Sequence, residues 1–176
     1  MCRLRIATRE DARAIAQLHA DSWRHAYKGA LSEAFLAGDI VADRRELWTQ
    51  RLSAPPPDQH VVLAESAGRV VGFACVYANA DDTWGALLDN IHVAANAQRQ
   101  GIGERLLRAV ARWIAASNPR AGMFLWVLQT NSNAQTFYSK LGAENVGADV
   151  WAPPGGGAVP RFRFAWRDIE PLLRDR

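Results

Sequence analysis

Residues 88–103 decide the fold: Leu88-Asp89-Asn90-Ile91-His92-Val93, then Ala94-Ala95-Asn96-Ala97, then Gln98-Arg99-Gln100-Gly101-Ile102-Gly103. The first six have the apolar, partly β-branched character of a strand. From Ile102 onward, apolar residues recur at Leu106, Val110, Trp113 and Ile114, the spacing of one helix face, until Asn118-Pro119 stops the pattern. The predicted order is strand, short loop, glycines, helix. Glycines at that junction let a ligand approach the backbone, and the first helical turn offers unpaired N–H groups and a partial positive charge, which together suit a pyrophosphate. The segment is not a Walker loop, because no Gly-Lys-Ser/Thr follows. Nor is it a dinucleotide fingerprint, because Leu106 stands where a third glycine belongs. A phosphate-bearing ligand of another kind is implied.

Outward from this segment, three extended runs, 60–65, 69–77 and 86–93, predict an antiparallel meander. Ala67-Gly68 marks its first turn and Asn79-Ala80-Asp81-Asp82 the second. Nearer the start, 4–7 reads as a strand, and Thr8 with Asp11 as a capping box opening a helix through Ile15, Leu18 and Ser22. Residues 32–35 and 42–52 read as further helical pieces, ended by Pro55-Pro56-Pro57. After the long helix come a strand at 123–128, a helix at 133–141 closed by Gly142, and strands at 145–151 and 161–166 around Pro153-Pro154-Gly155-Gly156-Gly157. The expectation is a single α/β domain over 1–176, with a mixed, mostly antiparallel sheet of about seven strands flanked by helices.

Composition narrows the function classes. The chain has 176 residues, 49% hydrophobic and 22% charged, the balance of one globular domain. Its 21 basic and 18 acidic residues are interspersed for a formal charge of +3, so no basic block marks a nucleic-acid or membrane-surface partner. Cys2 and Cys75 are too far apart for a disulfide framework or a zinc spacing, and Cys75 reads as a core residue. Charges near the start break any leader, and no apolar run would cross a bilayer; a reducing, cytoplasmic setting is expected.

Gln98, Gly101 and Gly103 fit the pattern Q/R-x-x-G-x-G/A, and Asn131, Ala134, Phe137 and Tyr138 fit N-x-x-A-x-x-(F/L)-Y one strand later, followed by Lys140-Leu141-Gly142. Both signatures, with the element order over roughly 4–166, resemble the GNAT superfamily of acyl-CoA N-acyltransferases. The resemblance implies acetyl-CoA as co-substrate, no metal, and direct transfer to a primary amine of a small molecule or peptide, with a homodimer as a possible assembly. It places Ile91, His92 and Val93 on a splayed strand beside pantetheine, and Gln98, Arg99, Gln100, Gly101, Ile102, Gly103 and Glu104 around the pyrophosphate. Asn131 would contact the cofactor arm, the Val93 N–H would face the oxyanion, and Tyr138 would protonate the departing thiolate.

Two departures stand out. Where many members carry a glutamate base, this chain has Leu87 and Trp126. Asp89 or His92, acting directly or through water, becomes the candidate base, and each also reads as structural: His92 as a satisfied strand histidine, Asp89 as a turn cap or the partner of an arginine. For the acceptor, Trp23, Tyr27 and Trp84 are the candidate contacts, Trp23 and Tyr27 lying one helical turn apart, with core packing the alternative for any single ring. Ser22-Trp23, Tyr27-Lys28-Gly29 and the 44–48 stretch resemble a bacterial branch whose members acetylate diverse small amines.

Overall fold

The computed structural model describes residues 2–118, 121–153 and 156–174. Seven strands form one open sheet in the order β1-β2-β3-β4-β5-β7-β6. They are β1 Arg3–Ile6, β2 Gln59–Ser66, β3 Arg69–Asp81, β4 Gly85–Val93, β5 Met123–Leu128, β6 Glu144–Trp151 and β7 Val159–Trp166. Every neighbouring pair is antiparallel except β4 with β5. The helices are α1 Ala12–Ala26, α2 Glu33–Ala37, α3 Ile40–Ser53, α4 Ile102–Ser117, α5 Ser132–Lys140 and α6 Glu170–Leu173.

Helices on both faces explain why the middle strands are apolar throughout rather than alternating. In β2, Val62 and Ala64 face the core under α4, where Ile102, Leu106, Leu107, Val110 and Ile114 pack. Their neighbours Val61 and Leu63 face the opposite core, built with Ile15 and Leu18 of α1 and Trp48 and Leu52 of α3. Cys75 belongs to this second core and is a free, fully buried thiol. Each such side chain contributes about 1.5–3 kcal/mol by leaving water, so the sheet is clamped from both sides.

Some boundaries differ from expectation for local reasons. Thr8 and Asp11 form their capping box, but around a 3-10 turn at Arg9–Asp11, and α1 starts only at Ala12. Asp11 is fully engaged there: it accepts from the Thr8 N–H at 2.8 Å and from two Arg5 nitrogens at 2.7 Å. The second meander turn is tighter than 79–82, because β3 continues to Asp81, whose Oδ1 accepts from the Thr83 and Trp84 N–H groups at 2.8 and 2.9 Å. Asn118 follows the last helical residue of α4. Pro119, Pro154 and Gly155, expected as breakers, lie outside the described residues.

Candidate active site

Strands β4 and β5 pair only at Ala86 with Met123 and Leu87 with Phe124. Beyond that they part, and the rest of β4 has a neighbour on one edge alone. A β-bulge sits at the parting point: Cys75 faces Asn90 and Val76 faces Leu88, leaving Asp89 as the extra residue. The bulge resets the pleat. Leu87 and Asp89 share the α1/α3 face, and His92, which a regular strand would turn the other way, joins them there, against Phe73 and His19.

The hydrogen-bond phase of the strand decides which backbone groups look into the gap. Ala94 N–H donates to the Val71 carbonyl at 2.9 Å. Successive pairs of an antiparallel ladder alternate between bonded and non-bonded. Gly72/Val93 and Ala74/Ile91 are therefore non-bonded pairs, and the polar backbone groups of Ile91 and Val93 point away from β3 into the wedge. The Val93 carbonyl accepts from Gln98 Nε2 at 3.2 Å; its N–H keeps an open side.

At the broad end of the wedge, Arg99 (φ 60°) and Gly101 (φ 75°) both take left-handed backbone just before α4. For arginine this costs about 1 kcal/mol or more, a strain that typically persists where backbone amides are aimed at a ligand. Gln100 Nε2 donates to the Asn96 carbonyl at 3.3 Å, and Ile102 is buried, which anchors the turn. Glu104 pairs with Arg108 at 2.8 Å rather than reaching forward. A Cβ on Gly103 would sit 3.4 Å from Phe137 of α5 and 3.8 Å from Val93, at the throat between the two elements. Asn131 caps α5 by accepting from the Ala134 N–H at 3.1 Å; this occupies its Oδ1 and leaves its amide NH2 as the group available to a ligand.

Tyr138 lies buried on α5 against Phe137, Phe164 and Trp166. Burial pushes its hydroxyl pKa up, and the Tyr27 hydroxyl adds to the shift. Burial likewise pushes Tyr27 up to about 12, with Asp89 contributing. Tyr27 comes from one face of the sheet and Tyr138 from the other, so they sense each other where the strands have separated. Tyr27, Asp89 and Tyr138 thus converge on the wedge. Asp89 is also tied down: its Oδ2 accepts from Arg51 of α3 at 2.7 Å and from the Asn90 amide.

His92 sits between Phe73 and His19, with ring centroids 5.3 and 4.8 Å away. Trp48 Nε1–H donates to His19 Nδ1 at 2.9 Å, which places the His19 proton on Nε2. Burial lowers the His92 pKa to about 4, and it lowers His19 well below its ordinary value, with His92, Arg44 and Arg51 adding repulsion. His60, stacked on Trp113, is shifted down by burial as well. The unfolded chain therefore binds more protons than the folded one between about pH 6.5 and 4. Stability present above the unfolded histidine pKa should fall as the pH drops, by up to about 1.4 kcal/mol per pH unit for each histidine. A thermal melt moved from pH 7.5 to 5 should lose several degrees, and His92→Gln should flatten that slope; an unchanged midpoint would mean the pair charges freely in the folded state.

Not every expected residue reaches this place. Trp23 and Tyr27 do, packed on each other at 5.1 Å and on Trp151 at the end of β6, at 5.9 and 6.1 Å. Trp84 does not: it stands at the closed end of the β4–β5 pair, under the Arg167 guanidinium at 5.0 Å. Arg51, His19 and Trp151 escaped the sequence reading. Each comes from an element distant in sequence, and nothing local distinguishes them from surface or core residues.

The architecture is that of known acyltransferases. The description "Acetyltransferase (GNAT) family" matches residues 13–143. The chain is 31% identical over 166 residues to the probable N-acetyltransferase Rv2775 of Mycobacterium tuberculosis, covering 92% of this chain and 91% of that one. It is 26% identical to the uncharacterized N-acetyltransferase YuaI of Bacillus subtilis, over 98% and 96% of the two chains. Among solved structures it resembles the PaiA N-acetyltransferase of Thermoplasma acidophilum in complex with coenzyme A, at TM-score 0.69 and 19% identity, covering 92% of this chain and 98% of that one. The chain belongs to the acetyltransferase (GNAT) family and is an enzyme of that class. Among the described residues, no helix is long and apolar enough to cross a membrane, and no cluster of three or more His, Cys, Asp or Glu could hold a metal ion.

Proposed function

We propose that this protein moves an acetyl group from acetyl-CoA to a primary amine by direct transfer, without a covalent acyl-enzyme. The observation that carries the reading is the wedge: a parallel strand pair that parts after two residue pairs, with a glycine-opened helix N-terminus at its broad end. Acetyl-CoA, when bound, supplies the activated acyl group and a thiol leaving group. The outward-facing backbone of Ile91 and Val93 would pair with its pantetheine arm, and the turn from Gln98 to Glu104 would take its pyrophosphate on backbone N–H groups. The Asn131 amide, at the head of α5, would contact the same arm. Tyr138, held protonated by burial, suits the donor to the leaving sulfur, and the open Val93 N–H suits the developing oxyanion.

An alkyl amine is almost wholly protonated at neutral pH, so the acceptor must shed a proton. His92, whose burial disfavours the charged form, would pass the proton on to water rather than hold it, beside the Asp89–Arg51 pair. One observation favours a second reading, a silent acyl-CoA sensor: Asp89 is neutralised by Arg51, and Leu87 and Trp126 occupy positions where a carboxylate base would sit. Two measurements decide. Acetyl-CoA at a hundredfold excess over its dissociation constant should stabilise the fold by about 2.7 kcal/mol, visible as a raised melting temperature. Free thiol should then appear faster in the presence of an amine panel. Stabilisation with no amine-dependent thiol release would establish the sensor, and stabilisation by NAD or ATP but not by CoA would remove both readings.

A further inference from the structure

Asp89 does not stand alone on its face of the sheet. Leu87 is the partner of Phe124, so two residues on, Asp89 and Trp126 front each other across the opening wedge. Trp126 is the cross-strand partner of Arg163, and Arg163 of Gly147. A row therefore runs from the wedge across β5 and β7 to β6. Trp126 lies under two guanidinium groups, Arg161 at 4.1 Å and Arg163 at 4.6 Å from the ring centroid, and Arg163 also lies over Phe124 at 5.3 Å. Gly147 adds no side chain at the end of the row, and a Cβ there would touch nothing within 4 Å.

The two arginines are used differently. Arg161 grips Asp149 through Nη2 at 2.7 Å and Nε at 3.2 Å. Arg163 makes no hydrogen bond among the described residues: its nearest acid, Asp81, is 4.0 Å from Nη1, and its Nε is buried without a partner. The acids beside it are partly engaged: Asp149 holds Arg161, and Asp81 accepts the Thr83 and Trp84 N–H groups on Oδ1, so that only its Oδ2 faces Arg163, in a long ion pair. Stacking on Trp126 and Phe124 holds the guanidinium plane in place, so little freedom remains to be lost on binding. A planar, rigid set of unspent donors matches a carboxylate, which it can grip with two parallel bonds. From β7 to β5 the row crosses one strand spacing, roughly 5 Å, the parted β4–β5 gap adds a wider step, and the Arg163 guanidinium lies over Trp126 and Phe124 on the β5 side of its own strand. An amine at Asp89 and an acid at Arg163 fit within one small molecule.

We infer that the acceptor is an amino carboxylic acid, with Arg163 as the specificity residue that takes its carboxylate. The inference rests on the acetyl-transfer reading, and the experiment separates the two. Thiol release from acetyl-CoA would be followed with a panel of α- and ω-amino acids, each beside its own carboxamide, and with polyamines and arylamines. The best amino acid should exceed its amide by tenfold or more in kcat/KM. Arg163→Gln should erase that preference through the amino acid KM, leaving the KM for acetyl-CoA unchanged, and Arg163→Lys should restore part of it, because the charge returns without the fork. If Arg163→Gln does not fold, as judged by circular dichroism, the acid-to-amide ratio of the parent and the lysine variant still decide. Equal rates for acids and amides, or activity confined to polyamines or arylamines, would overturn the inference while acetyl transfer stands. No release with any amine would overturn both.

Discussion

Gly103→Val should raise the KM and dissociation constant for acetyl-CoA by a hundredfold or more, about 2.7 kcal/mol, in a protein that stays folded. The Cβ alone would meet Phe137 at 3.4 Å and Val93 at 3.8 Å, ordinary contacts that the fold tolerates. The two methyl groups beyond it would extend the side chain into the space that Phe137 and Val93 border, between β4 and α5. In the proposed binding mode the cofactor arm crosses this space to bring its pyrophosphate to the first turn of α4. Gly103 is inside α4, where valine is a better helix former than glycine, so melting of the ligand-free variant should move little or rise. Calorimetric titration with acetyl-CoA and a melt of the ligand-free protein read the two effects separately. A folded variant with the parent's affinity would put the phosphate site elsewhere than the start of α4.

Tyr138→Phe should lower kcat by about tenfold to a hundredfold, at or below the low end of what one proton-transfer group contributes, with little change in cofactor affinity. Phenylalanine keeps the ring contacts with Phe137, Phe164 and Trp166 and removes only the hydroxyl. A thiolate is a tolerable leaving group even unassisted, which bounds the loss. Because burial keeps the Tyr138 hydroxyl protonated through the neutral range, the ratio of parent to variant rate should stay nearly constant there. Stopped-flow acetyl transfer under single-turnover conditions isolates the chemical step. An unchanged single-turnover rate would return Tyr138 to a packing role.

Much of the molecule can be read from local patterns. The meander, the long amphipathic α4, the Gln98–Gly103 turn and the Asn131–Tyr138 signature each depend on residues within about one turn or one strand of each other. Their physics is short-range: period, capping and the backbone freedom of glycine. Gly101 illustrates it, since the left-handed backbone it adopts at the start of α4 is written in its own lack of a Cβ. Asn131 illustrates the limit. Its place at the head of α5 is a sequence fact, but that its carbonyl oxygen is spent on the Ala134 N–H is known only from the folded chain.

What tertiary structure decided was the company each residue keeps. The bulge at Asp89 is a property of the β3–β4 pairing, not of β4, and it alone turns His92 onto the face that Asp89 occupies. The pairing of Asp89 with Arg51 joins residues 38 apart, and the His19–Trp48 bond joins residues 29 apart. Arginine and histidine look alike in a sequence whether a partner awaits them or not. Arg161 and Arg163, two residues apart on one strand, are the sharpest case: one is consumed by Asp149, the other is stacked on Trp126 with its donors unspent. The chain by itself determined an α/β sheet, a glycine-bearing turn at the start of its long helix and the signatures of the acetyltransferase family, because those are written in near neighbours. The wedge, the charge pairing around Asp89 and the weakly paired Arg163 two strands away came only with the fold, because they depend on which distant strands and helices come to lie side by side.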